Sequence, residues 1–141
     1  MIAIDTNLLI YAHRAALSEN RAARRAIEKA SRDPRGWGIA QPSVAEFWSV
    51  VTHPASSGGP SSADQARGFL HALREAGAMI WMPGEGFPER LLQLAGELGI
   101  QGPRIFDLQI GLTAFDNGAG EVWTHDGRFV RLPGLEVHDP L

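Results

Sequence analysis

Cysteine is absent from this 141-residue sequence. Disulfides, thiolate metal sites and cysteine nucleophiles are therefore excluded, and any chemistry falls to oxygen, imidazole and guanidinium groups. Lysine occurs once, at Lys29. The sequence contains neither a P-loop nor a Gly-x-Ser-x-Gly elbow, and no internal repeat or low-complexity tract. Long apolar runs are missing too: the opening one has no basic flank and Asp5 interrupts it at once. That pattern is neither a signal peptide nor a membrane span, so a soluble cytoplasmic protein without membrane contact is expected. The length suits a single domain, residues 1–141. The five histidines (His13, His53, His71, His125, His138) lack zinc-ligand spacing, and His125 reads as a surface turn residue.

Acids and arginines carry most of the remaining signal. Between Arg14 and Arg35 seven Arg or Lys face three acids, a local balance of +4 in a chain of net −3, which leaves −7 for the remainder. A basic helix beside an acidic body suits a nucleic-acid backbone or an acidic protein partner, and Arg24 and Arg25 lie at its centre. A solvated helix face, with Arg24 and Glu28 paired four apart, explains the same run.

Met1-Ile-Ala-Ile-Asp5-Thr6-Asn7 is a short apolar strand that ends abruptly on polar groups. A helix follows from Leu8, and Ser18 reads as the cap of a second one running to Ala30, closed by Asp33-Pro34-Arg35-Gly36. Trp37–Ala40 is a second strand. Val44, Phe47, Trp48 and Val51 mark the apolar face of the next helix, with Glu46 in its first turn; Ser43-x-x-Glu46 is also a capping-box pattern. The Ser/Gly/Pro stretch from His53 to Pro60 is a flexible loop without an assigned role. A helix from Ser61 or Ser62 to Gly77, a strand over Ala78–Met82 and an amphipathic helix carrying Leu91, Leu92, Ala95 and Leu98 follow. Asp107 stands in the first turn of a further helix. Glu121–Thr124 is a fourth strand, followed by His125-Asp126-Gly127, and Leu135–Val137 is a short final strand.

Strands and helices alternate, which points to an α/β fold: a sandwich with a mostly parallel central sheet flanked by helices. In right-handed β-α-β units the ends of strands and the first turns of the following helices open at one edge, so Asp5, Glu46, Asp107 and Asp126 all project toward a single rim. Each acid also has a local explanation as cap or turn residue. Four carboxylates converging without a counter-charge repel one another, and an all-oxygen set favours Mg²⁺ or Mn²⁺ over zinc. Carboxylate-held Mg²⁺ is equipment for phosphodiester hydrolysis, with Arg104 and Arg128 near the acids to meet phosphate.

Ile4-Asp5-Thr6-Asn7, Glu46, Ile105-Phe106-Asp107-Leu108-Gln109-Ile110, and Trp123-Thr124-His125-Asp126-Gly127-Arg128-Phe129 followed by Pro133-Gly134-Leu135 resemble a PIN domain, and among these the VapC toxins of bacterial toxin–antitoxin pairs. The resemblance implies a PIN-like α/β/α sandwich and a Mg²⁺- or Mn²⁺-dependent endoribonuclease acting on RNA. It also implies a homodimer and inhibition by a small antitoxin protein. By position, Asp5 and Asp107 would be metal ligands, Glu46 would orient a water or act as base, and Asp126 would complete the quartet. Thr6, Asn7 and Thr124 would support them by hydrogen bonds; Arg104, Arg128, Arg24 and Arg25 are the candidate substrate contacts. Two alternatives stand beside it. Asp5-Thr6-Asn7 after an apolar strand also resembles the haloacid-dehalogenase phosphotransferases, with Asp5 as nucleophile, although Asn7 stands where a second acid is wanted. The other alternative is a catalytically silent RNA-binding module.

Overall fold

The computed structural model describes residues 1–141. Its elements run β1 (Ile2–Ile4), α1 (Thr6–His13), α2 (Asn20–Ser31), β2 (Trp37–Ala40), α3 (Gln41–Val51), α4 (Ala63–Glu75), β3 (Met79–Trp81), α5 (Phe87–Leu98), α6 (Arg104–Asp116), β4 (Glu121–Trp123) and β5 (Glu136–His138). The five strands form one sheet in the order β3-β2-β1-β4-β5, and all four pairings are parallel. The expected sandwich is thus present, with a sheet that is wholly rather than mostly parallel.

Strand alternation divides the core into two layers. Ile2, Ile4, Trp37, Ile39 and Trp123 point to one side, where Leu8, Ala23, Phe47, Val51, Ala66 and Leu73 of α1 to α4 cover them. Ala3, Ala40, Trp81 and Val122 point to the other, beneath Phe87 and Ala95 of α5 and Leu108, Ile110 and Leu112 of α6. β1 lies in the middle and is buried along its whole length, as a short apolar strand in a doubly covered sheet must be.

The chain builds outward from β1 to β2 and β3, then returns to the other flank for β4 and β5. The direction of winding reverses between β1 and β4, and in open parallel sheets a crevice forms beyond the strand ends at such a reversal. Asp5 and Thr124 are the residues that leave β1 and β4 there.

Some local expectations move. Ser18 is not the cap of α2: Glu19 precedes the helix, and the Ser18 hydroxyl donates to the Glu19 carboxylate. Asn20 explains the delay, since its side-chain amide donates to the carbonyls of Tyr11 and Ala12 and so closes the end of α1. Ser62, by contrast, forms a full capping box with Gln65 at the head of α4. On α3 the apolar face is narrower than expected: Phe47 and Val51 are buried while Trp48 is 39% exposed. Leu92 of α5 likewise faces outward, 67% exposed. The Glu28 carboxylate pairs with Arg32, not with Arg24.

Gly38 in the second strand is fixed by space. A Cβ there would stand 2.7 Å from the Met79 carbonyl oxygen and 2.8 Å from the Trp81 ring, and the neighbouring strand backbone cannot withdraw without breaking its ladder. In the Gly38→Ala variant, overpacking should cost about 1–3 kcal/mol in urea unfolding. Gly111→Ala, whose nearest neighbours would be side chains at 3.4 Å, should change stability by less. Equal stabilities for the two variants would contradict this packing of β2 against β3.

Candidate active site

Asp5 leaves β1 in an extended conformation and becomes the N-cap of α1. One carboxylate oxygen, Oδ1, accepts from the Thr6 backbone N–H at 2.7 Å, and the other, Oδ2, accepts from the Thr124 hydroxyl at 2.7 Å. The capping explanation and a functional one therefore describe the same side chain. Only 6% of Asp5 is exposed, and burial is the main reason its pKa is raised from 3.8 to about 6. The Thr124 and Thr6 hydrogen bonds oppose that rise, while the charges of Asp107 and Glu46 add to it.

Thr124 uses every hydrogen-bonding capacity of its hydroxyl. It donates to Asp5 and accepts from the Asn7 side-chain amide at 3.0 Å and from the Asp126 backbone N–H at 3.0 Å. Asn7 in turn accepts from the His125 backbone N–H through Oδ1 at 3.3 Å. Thr6 is buried but its hydroxyl has no partner, so its bond to Asp5 is made by backbone alone.

Asp107 stands in the first turn of α6, whose N-cap is Pro103, so it does not cap the helix itself. It is half-buried, and its pKa is raised by burial first, then by the charges of Asp126 and Glu46, with Arg104 opposing. Asp126 holds the turn after β4: its Oδ1 accepts from the Arg128 backbone N–H at 2.9 Å. Across that turn the Arg104 guanidinium donates to the Arg128 carbonyl oxygen at 2.7 Å, which brings two exposed arginines to the same edge.

Glu46 departs from expectation in its setting. α3 begins at Gln41, with Pro42 at its start, so Glu46 lies in the second turn rather than the first. The Ser43–Glu46 capping box does not form; Ser43 is buried inside the helix and its hydroxyl is unpartnered. Glu46 is exposed, yet its charge raises the pKa of both Asp5 and Asp107. The four acids thus share one electrostatic neighbourhood. As their side chains stand, however, no three of the protein's Asp, Glu or His groups enclose a point that would hold a metal ion. The cluster is within mutual Coulombic reach but not closed into a cage.

A hard divalent cation suits this donor set. All four candidate ligands are carboxylates, Asp5 and Asp107 are pushed toward protonation first by burial and then by neighbouring acids, and Arg104 is the only cation opposing that push. Asp5 would supply buried oxygens, Asp107 and Asp126 half-buried ones and Glu46 an exposed one.

Arg24 and Arg25 are not at this edge. They line a cleft of about 860 Å³ between α2 and α4, with Ala12, Phe69 and Leu73 on its floor, and none of the four acids borders it. Sequence reasoning also missed a pair. His125, read as a turn residue, holds Asp139 through Nδ1 at 2.9 Å, because β5 runs parallel beside β4 and sets the two strand ends next to each other.

The family model for the PIN domain matches residues 2–135. A VapC ribonuclease of Mycobacterium bovis is 33% identical over 143 residues, covering 100% of this chain and 96% of that protein. Ribonuclease VapC43 of Mycobacterium tuberculosis matches to the same extent, 33% identical with 100% and 96% covered. Among solved structures, VapC20 of Mycobacterium tuberculosis, described as a toxin cleaving the sarcin-ricin loop, superposes with a TM-score of 0.70 at 12% identity, covering 92% of each chain. A toxin–antitoxin complex from Klebsiella pneumoniae gives a TM-score of 0.66 at 23% identity, covering 100% of this chain and 98% of that one. VapBC2 from Rickettsia felis, bound to a fragment of promoter DNA, gives 0.65 at 19% identity, with 98% of each chain covered. The carboxyl-edge acids, the wholly parallel sheet and full-length similarity at 33% identity agree, and the chain belongs to the PIN-domain family, among the VapC ribonucleases.

Proposed function

We propose that this protein is a metal-dependent endoribonuclease that hydrolyses RNA phosphodiesters and serves as the toxin of a toxin–antitoxin pair. The observation that carries the reading is the coupling of Asp5 and Asp107: two acids far apart in sequence, both with raised pKa, each sensing the charge of Glu46 at the sheet's switch point. The names of the relatives and the toxin–antitoxin complexes among the structural neighbours support it.

In this reading Asp5 and Asp107 hold Mg²⁺ or Mn²⁺, with Asp126 completing the set. Held there, the ion would lower the pKa of a bound water and offset negative charge on the phosphate. Glu46, exposed and free of hydrogen-bond partners, orients the attacking water and takes its proton. Arg104 and Arg128 meet the phosphate backbone at the rim. Thr124 and Asn7 hold Asp5 and the turn carrying Asp126 in register. Arg24 and Arg25 serve differently, since the apolar floor of their cleft suits a segment of an antitoxin better than a phosphate chain. A homodimer and a cytoplasmic location complete the proposal; no helix is long and apolar enough to cross a membrane.

A phosphotransferase using Asp5 as nucleophile fits less well. Asn7 occupies the place of the second acid, and the one lysine places its ammonium over the Trp123 ring, 5.7 Å from the centroid. A silent RNA-binding module would have no use for four mutually repelling acids.

Burial of Asp5 also has a stability consequence in metal-free protein. Because its folded pKa is raised above the unfolded value, the folded state holds the proton more tightly, so this group favours folding below about pH 4 and loses that contribution as pH rises through about 6. The penalty for ionised Asp5 at neutral pH is about 3 kcal/mol, at 1.36 kcal/mol per unit.

With Mn²⁺ or Mg²⁺, purified protein should cut single-stranded or looped RNA, and EDTA should stop it. Asp5→Asn and Asp107→Asn should each lower kcat/KM by about a hundredfold or more. Undiminished cutting by the double variant would refute the assignment. In EDTA, urea unfolding of Asp5→Asn against the parent should show a relative stability of the variant that grows from pH 4 to pH 7. A difference that stays flat over this range would contradict the raised pKa.

A further inference from the structure

His125 is held from three directions and has one ring nitrogen to spare. Asn7 Oδ1 accepts from its backbone N–H at 3.3 Å. Asp139 lies 2.9 and 3.1 Å from Nδ1 through its two carboxylate oxygens. The Tyr11 ring and the imidazole meet edge to face, with ring centroids 6.1 Å apart and planes at 76°. A carboxylate only accepts, so Nδ1 carries the hydrogen of this bond and Nε2 is the ring's free nitrogen. The His125 side chain remains 39% exposed.

The setting selects what this nitrogen can bind. His125 lies between Thr124, which bonds Asp5, and Asp126, and Asp139 stands on its other side. The Asp139 carboxylate beside the ring repels a phosphate, which Arg104 and Arg128 meet at the same edge; an uncharged hydroxyl meets no such penalty. The 2′-hydroxyl of ribose is both donor and acceptor, so it can bond Nε2 in either protonation state of the ring. We propose that His125, oriented by Asp139 and Tyr11, contacts the 2′-hydroxyl of a nucleotide beside the cleaved phosphate and so makes the site selective for RNA over DNA at that position. This rests on the ribonuclease reading and adds to it a residue that selects the sugar.

The test uses a 5′-labelled hairpin RNA of mixed loop sequence with Mn²⁺. Once the cut is mapped, a series is made in which one nucleotide at a time on either side of it is 2′-deoxy. One such substitution should lower kcat/KM about tenfold in the parent protein, the size of one hydrogen bond. In His125→Ala the same substitution should have less than about a twofold effect, and in Asp139→Asn, which keeps the imidazole but loses its carboxylate anchor, an intermediate one. Thermal unfolding of both variants is followed in parallel. Full ribose discrimination retained by both folded variants, or lower stability with unchanged discrimination in Asp139→Asn, would make the pair a purely structural tie and overturn the inference. So would a parent protein indifferent to every 2′-deoxy position while still cutting. An all-ribose hairpin left intact would instead reject the ribonuclease reading, and the inference with it.

Discussion

The hydroxyl of Thr124 joins the two halves of the sheet where the chain reverses its winding. With one donated and two accepted hydrogen bonds it ties the end of β1, the first turn of α1 and the turn after β4 into one unit. Two of these bonds are long-range: Thr124 lies 119 residues from Asp5 and 117 from Asn7, and they meet because β1 and β4 pair in register at Ile4 and Trp123. The positions of Asp5 and Asp126 depend on that pairing. Asp5 is aimed by Thr124, Asp126 is held through its own backbone N–H, and Asp107 is carried in on α6, packed over the same strands.

Charge is the complementary constraint. Helix packing on both faces removes water from Asp5 and part of Asp107, and the neighbouring acids compound the cost. A protein selected for stability alone would replace such groups with apolar ones. Their convergence, with only Arg104 in opposition, supports the proposed divalent-cation site. The side chains leave the cage open. In the proposed reading Glu46 and Asp126 would close it, since the bonds on both Asp5 oxygens hold that carboxylate in place.

Much of this was legible in the sequence. Asp5 stood out because an apolar strand stops on it, and the alternation of elements was enough to send all four acids to one edge. The misplaced details have identifiable causes. Gln41-Pro42 is itself a helix-start signal, and it outweighed the Ser43–Glu46 pattern, moving Glu46 a turn further in. Asn20 closes α1 and delays α2 past Ser18. The His125–Asp139 pair had no sequence pattern to betray it, because it depends on β5 lying beside β4, a long-range pairing that no local spacing encodes. Arg24 and Arg25 were visible as a basic face, but which groove they border is decided by the gap that the fold leaves between α2 and α4.

The most direct probe of the shared-cation claim is anomalous scattering from crystals grown with Mn²⁺. A manganese peak at about 2.1 Å from a carboxylate oxygen of Asp5 and from one of Asp107 is the expected result. Manganese bound only elsewhere on the protein, with the space between those two acids empty, would contradict it.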